Sequence, residues 1–146
     1  MQRLKRRKLS AGALRMVRSA RIAHLATADA SGHPHVIPIC FAFNGKKFFS
    51  PIDEKPKRAA PTKLRRVRNI EVNPRVAIVI DHYEEDWKKL GYVLVFGTAR
   101  ILLGGKGHRD AVRLLRRRYP QYRSMAIESR PMIVVSPLST VVWGRA

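Results

Sequence analysis

The sequence predicts an α+β chain, mainly β, in which about six antiparallel strands curl toward a barrel and about three helices are interspersed between them. Three observations carry this prediction. Runs rich in β-branched and aromatic residues recur between turn-forming dipeptides. Three other stretches repeat their apolar residues at helical spacing. A single Asn44-Gly45 pair links two apolar runs closely enough to require a hairpin.

The chain has 146 residues, which suits one core, expected over residues 10–146 behind a basic arm of residues 1–9. Ala13, Leu14 and Val17 set a helical stripe from Ser10 to Ala20, with Ser10 as the N-cap. Ile22 to Thr27 is a strand, Asp29 to Gly32 its turn, and His35 to Phe43 a second strand. A two-residue turn at Asn44-Gly45 then leads to a third strand, Lys47 to Pro51, completing a meander. A basic, proline-containing connection follows, and a helix over 62–72 carries Leu64, Val67 and Ile70 on one side, with Thr62 as its cap. Asn73-Pro74 ends that helix, since the residue before a proline avoids the α region. Val76 to Asp81 and Tyr92 to Leu103 are the next strands, separated by the acidic, aromatic loop Tyr83 to Trp87. Ala111, Val112, Leu115 and Tyr119 mark the third helix, stopped by Pro120. Met132 to Trp143 is the last strand region, and Pro137 within it implies an edge or a bulge.

Charge is the strongest compositional signal: 30 Lys and Arg against 10 Asp and Glu give a net charge of +20. Such a surface attracts polyanions, so nonspecific nucleic-acid affinity is expected, but the cations are too dispersed to define a nucleic-acid site. No apolar run is long enough to span a bilayer, and the N-terminal segment lacks the apolar stretch of a signal peptide, so a cytoplasmic protein is expected. The cationic cluster between Lys55 and Arg68 is the best functional candidate. Cations beside a helix N-terminus suit a phosphate, and Arg65, Arg66 and Arg68 can engage it bidentately. A solvated helix face is the alternative, and composition alone favours it. His33 and His35 lie two apart but have no third ligand at a recognised spacing, so no metal is expected. Cys40 sits in an apolar run and reads as a buried thiol, and Glu84, Glu85 and Asp86 read as a solvated loop or as partners for arginines across an interface.

Two stretches, Ile22 to Thr27 and Ser31 to Ile39, resemble the opening of the pyridoxamine 5′-phosphate oxidase-like FMN-binding split-barrel superfamily. The runs Arg65 to Val76, Gly97-Thr98-Ala99-Arg100 and Tyr119-Pro120-Gln121-Tyr122 are similar to its later segments. Asp81-His82-Tyr83 and Glu85-Asp86-Trp87 are most similar to its deazaflavin (F420)-dependent oxidoreductase branch. The resemblance implies a six-stranded antiparallel split β-barrel and a homodimer with two cofactor sites at its interface. It implies that His35, Val36, Ile37 and Pro38 flank the ring and that Ser50, Pro51 and Ile52 line the site. Lys57, Arg65, Arg66 and Arg68 then meet the phosphate or acidic tail, and Trp143 approaches from the C-terminal strand. The implied activity is hydride transfer between F420 or FMN and a small conjugated acceptor, with no catalytic side chain required because the ring carries the chemistry. The cationic surplus suits the more acidic tail of F420. A non-catalytic flavin or haem carrier on the same fold is the second reading, and a basic nucleic-acid-binding module the third.

Overall fold

The computed structural model describes residues 8–53 and 64–146. The expected caps and cations at Lys55, Lys57, Arg58, Thr62 and Lys63, and most of the N-terminal arm, lie outside those residues. Helix α1 (Ala11–Ser19) is capped by Ser10, whose Oγ accepts from the Ala13 N–H at 3.1 Å. Strands β1 (Ala23–Ala28) and β2 (Pro34–Ile39) form the first hairpin. Strands β3 (Ala42–Phe43) and β4 (Phe48–Pro51) form the second, before helix α2 (Arg65–Val72). Strands β5 (Arg75–His82) and β6 (Gly91–Leu102), helix α3 (Lys106–Arg118) and strand β7 (Met132–Gly144) complete the order.

The strand count is seven rather than six, because the expected second strand breaks at Cys40-Phe41. The physical cause is Tyr119. Its hydroxyl accepts from the Phe41 N–H at 3.1 Å and lies 3.0 Å from the Phe41 carbonyl, so both backbone groups leave the ladder. The expected meander is therefore divided: β1 pairs with β2, whereas β4 pairs with β3. The Asn44-Gly45 turn also shifts by one residue. Asn44 N–H donates to the Lys47 carbonyl at 3.2 Å, leaving Gly45-Lys46 as the loop, with Gly45 at φ +94°. The Asn44 carboxamide oxygen causes the shift by accepting from the N–H groups of Lys46 and Lys47 at 2.9 and 2.8 Å.

All pairings are antiparallel, in the order β2-β1-β5-β6-β7-β4-β3. The two outermost strands, β2 and β3, are joined by only Cys40 and Phe41, a reach of about 11 Å. The sheet must therefore curl until its edges meet, which makes it a half-open barrel. Inward residues such as Leu25, Phe41, Phe48, Ile78, Ile80, Val93 and Val95 fill the barrel. Ala13 and Val17 of α1 join that core at one end, beside Gly91. Val67 and Ile70 of α2 join it at the other, where Asn69 Nδ2 donates to Thr27 Oγ1 at 3.0 Å. A second core lies on the outer side: Ala111, Val112 and Leu115 of α3 cover Ala42, Phe49, Met132 and Val134.

Pro137 marks a bulge, and not in an edge strand, since β7 pairs with both β6 and β4. The register steps from Gly97↔Pro137 to Phe96↔Ser139, leaving Leu138 as the extra residue. Gly97 is required there because a Cβ would stand 2.4 Å from the Ser136 carbonyl oxygen. Among the described residues no helix is long and apolar enough to cross a membrane.

Candidate functional site

Paired residues on neighbouring antiparallel strands point to the same side of a sheet, so register assigns every side chain to a face. On β2, His35 pairs with Thr27 and Ile37 with Leu25, which places both inward. Val36 pairs with Ala26 and Pro38 with His24, on the outer face. The four residues expected to flank a ring thus divide between the two sides of an edge strand. Val36 is 64% exposed, whereas the His35 Nδ1 is buried and has no hydrogen-bond partner among the described residues.

Ser50, Pro51 and Ile52 at the end of β4 are all buried. Ser50 Oγ donates to the Cys40 carbonyl at 2.8 Å, tying β4 to the seam between β2 and β3. Helix α2 holds Arg65 and Arg68 exposed and Arg66 half-buried. Arg66 Nε is buried without a partner among the described residues. Burial holds its guanidinium below the usual value, opposed by the charge of Asp53 and by Tyr122. Tyr122 is buried, and that burial pushes its hydroxyl well above an ordinary phenol, with further rises from Cys40, Asp53 and Tyr119. Arg66, Asp53, Tyr122 and Cys40 therefore form one electrostatic group at the α2 end of the barrel. Lys57 lies outside the described residues.

Asp53 and Tyr122 were not among the expected site residues. The signal for Tyr122 was available in Tyr119-Pro120-Gln121-Tyr122, because the proline ends α3 and turns the next aromatic back toward the sheet. In the acidic loop Glu85 and Asp86 are exposed and Glu84 is half-buried, with His82 Nε2 at 2.6 Å and Lys89 at 3.8 Å from Glu84. A cleft of about 320 Å³ between α1 and the end of β5, lined partly by Arg15, Asp81, Lys89 and Arg145, contains none of the expected residues.

Trp143 stands on the outer face at the opposite end of the strands, 51% exposed and stacked on Tyr92 with centroids 5.6 Å apart. Tyr92 and Thr98, the partners of Trp143 and Ser136, are six residues apart on β6, a separation of about 20 Å. Within one protomer, then, Trp143 is remote from the arginines of α2.

Between these ends the outer face carries two rows across five strands. One runs Val36, Ala26, Ala77, Phe96, Ser139 and the other Pro38, His24, Val79, Leu94, Val141. Phe96 and Val141 are 44% and 41% exposed, and among the described residues no helix covers the rows. Apart from His24 and Ser139 the rows are apolar, and exposed apolar surface of this kind makes the face a candidate interaction surface. Sequence reasoning missed it, although β5, β6 and β7 are apolar at successive positions, the pattern of strands buried on both faces.

The model of the pyridoxamine 5′-phosphate oxidase family matches residues 11–143. No curated protein is significantly similar in sequence. Among solved structures, a conserved hypothetical protein from Mycobacterium tuberculosis aligns with a TM-score of 0.75 at 19% identity, covering 97% of this chain and 90% of that one. The heme storage protein HutZ from Vibrio cholerae aligns at 0.72 and 19% identity, covering 94% and 98%. A protein described as an F420 reductase aligns at 0.67 and 24% identity, covering 91% and 98%. At these identities the structural likeness shows the fold.

Proposed function

This chain belongs to the pyridoxamine 5′-phosphate oxidase family, and from that premise we propose that it is a homodimeric oxidoreductase using a flavin-type cofactor, F420 or FMN. The observation that carries the proposal is Arg66. A half-buried guanidinium whose Nε has no partner among the described residues is costly unless an anion completes it, and Arg65 and Arg68 on the same helix reinforce the demand. The donor set fits the phosphate or acidic tail of such a cofactor.

When bound, the ring supplies two-electron chemistry, moving hydride to or from a conjugated acceptor. The chain's own residues bind and orient. Arg65, Arg66 and Arg68, with Lys57, hold the anionic end. Ser50, Pro51 and Ile52 form a dry wall, their backbone fixed by the Ser50–Cys40 bond. His35 and Ile37 on one side of β2, and Val36 and Pro38 on the other, border the ring along the strand edge. Trp143 lies too far from α2 to act within its own protomer, so the partner subunit's Trp143 supplies that contact. The exposed apolar rows give the partner its docking surface.

An absorbance spectrum of the purified protein, followed by titration with FMN and with F420, tests the reading. Saturable micromolar binding of either cofactor supports it, and binding of neither removes it. F420 affinity no better than that of an unrelated polyanion of equal charge would remove the preference for F420. The structural likeness to a heme storage protein keeps a carrier in view as the second reading. It is favoured if the reduced, cofactor-bound protein fails to pass electrons to any acceptor.

A further inference from the structure

Strand β5 is the middle strand of the five that carry the exposed rows. Its outward side chains read Arg75, Ala77, Val79, Asp81: a cation, two small apolar residues, an anion. A half-turn about an axis that lies in the face and crosses β5 between Ala77 and Val79 lays this pattern on its complement. Arg75 meets Asp81, and Ala77 meets Val79. The same rotation lays each apolar row on the other row of a second copy. It also carries Trp143 from one end of the strands to the end bearing α2 in the partner.

The alternative twofold axis, parallel to the strands, would set Asp81 over Asp81 and Arg75 over Arg75. Like charges opposed in an interface are strongly disfavoured, so charge selects the first axis. Both groups are available for the contact: each is exposed, and neither has an ion pair among the described residues. They stand about 20 Å apart on one strand, so two separate pairs would bracket an apolar centre, the arrangement of a polar rim around a dry core.

We propose that the protein dimerises through this face about the axis across β5, with Asp81 of each protomer paired to the partner subunit's Arg75. The inference rests on the homodimer reading above and adds its symmetry and its selecting charges.

Sedimentation velocity over a dilution series, at low and high salt, tests it on the wild type, Asp81→Arg, Arg75→Asp and the double exchange. Each single exchange sets two like-charge pairs in the dimer and should raise the dissociation constant roughly tenfold or more. The double exchange should return it to within about threefold of wild type. Salt should narrow the gap between wild type and the single variants. Melting curves matched to wild type establish that all variants fold. A wild-type dimer indifferent to the single exchanges, or a double exchange weaker than either single, overturns this axis while leaving the homodimer standing. A wild-type protein that stays monomeric at high micromolar concentration with FMN or F420 present overturns the homodimer and this inference together.

Discussion

The outer face of the sheet has two halves built from similar strands. Under α3, Phe49, Met132 and Val134 are at most 7% exposed, because Ala111, Val112 and Leu115 pack onto them. Across the bulge at Leu138, Phe96, Val141 and Trp143 lie on β6 and β7, and among the described residues no element covers them. The difference lies not in the strands but in what the chain places over them. An apolar strand face states a need for cover, and only a connection of suitable length and direction decides whether that cover is intramolecular.

The largest effect should come from the covered half. Leu115→Ala opens a cavity in a fully buried layer and should cost about 3 kcal/mol of unfolding free energy, read from denaturant titration. Phe96→Glu, on the bare half, should lower stability of the isolated protomer by less than about 1 kcal/mol. It should instead weaken the dimer roughly a hundredfold, about 2.7 kcal/mol, read from sedimentation. Were Phe96→Glu to unfold the protomer as Leu115→Ala does, the two halves would not differ in kind. Arg66→Met keeps the stem and removes the charge, so it should weaken FMN or F420 binding about tenfold, some 1.4 kcal/mol, with little change in melting temperature. Unchanged affinity would separate the α2 end from the binding site.

The smallest effect belongs to Glu84, at the rim of the bare half. The hydrogen bond from His82, working against desolvation and helped by the charges of Lys89, His82 and Arg145, holds its carboxyl below the usual range. A depressed folded-state value contributes stability above the unfolded value and loses it as pH falls through the folded one. Glu84→Gln should therefore flatten the acid limb of a stability–pH curve slightly, below the ordinary carboxylate range, and leave neutral pH nearly unchanged. An identical acid limb would show that the His82–Glu84 contact is not maintained in solution.

Local chemistry made much of this legible. Ala13 and Val17, Val67 and Ile70, and Ala111, Val112 and Leu115 are the buried residues that helical periodicity selects. Ser10 caps α1 and Pro120 stops α3, because those effects act within one turn of chain. The arginines of α2 were legible as a cationic cluster for the same reason. The break at Phe41 was not, since its cause is a hydroxyl 78 residues away. Nor was Tyr122 as a neighbour of Arg66, for they belong to different elements.

By itself the sequence determined the strands, the helices, the cationic cluster and the family they resemble, all of them set by periodicity, capping and composition over short spans. Only the tertiary structure decided that β2 and β3 are opposite edges of one curled sheet and that His35 and Val36 face opposite ways. It alone put Trp143 at the opposite end of the strands from the arginines of α2 and left half of one apolar face without cover among the described residues. These properties depend on register and closure between distant segments, and register is a relation between two strands that neither strand encodes alone.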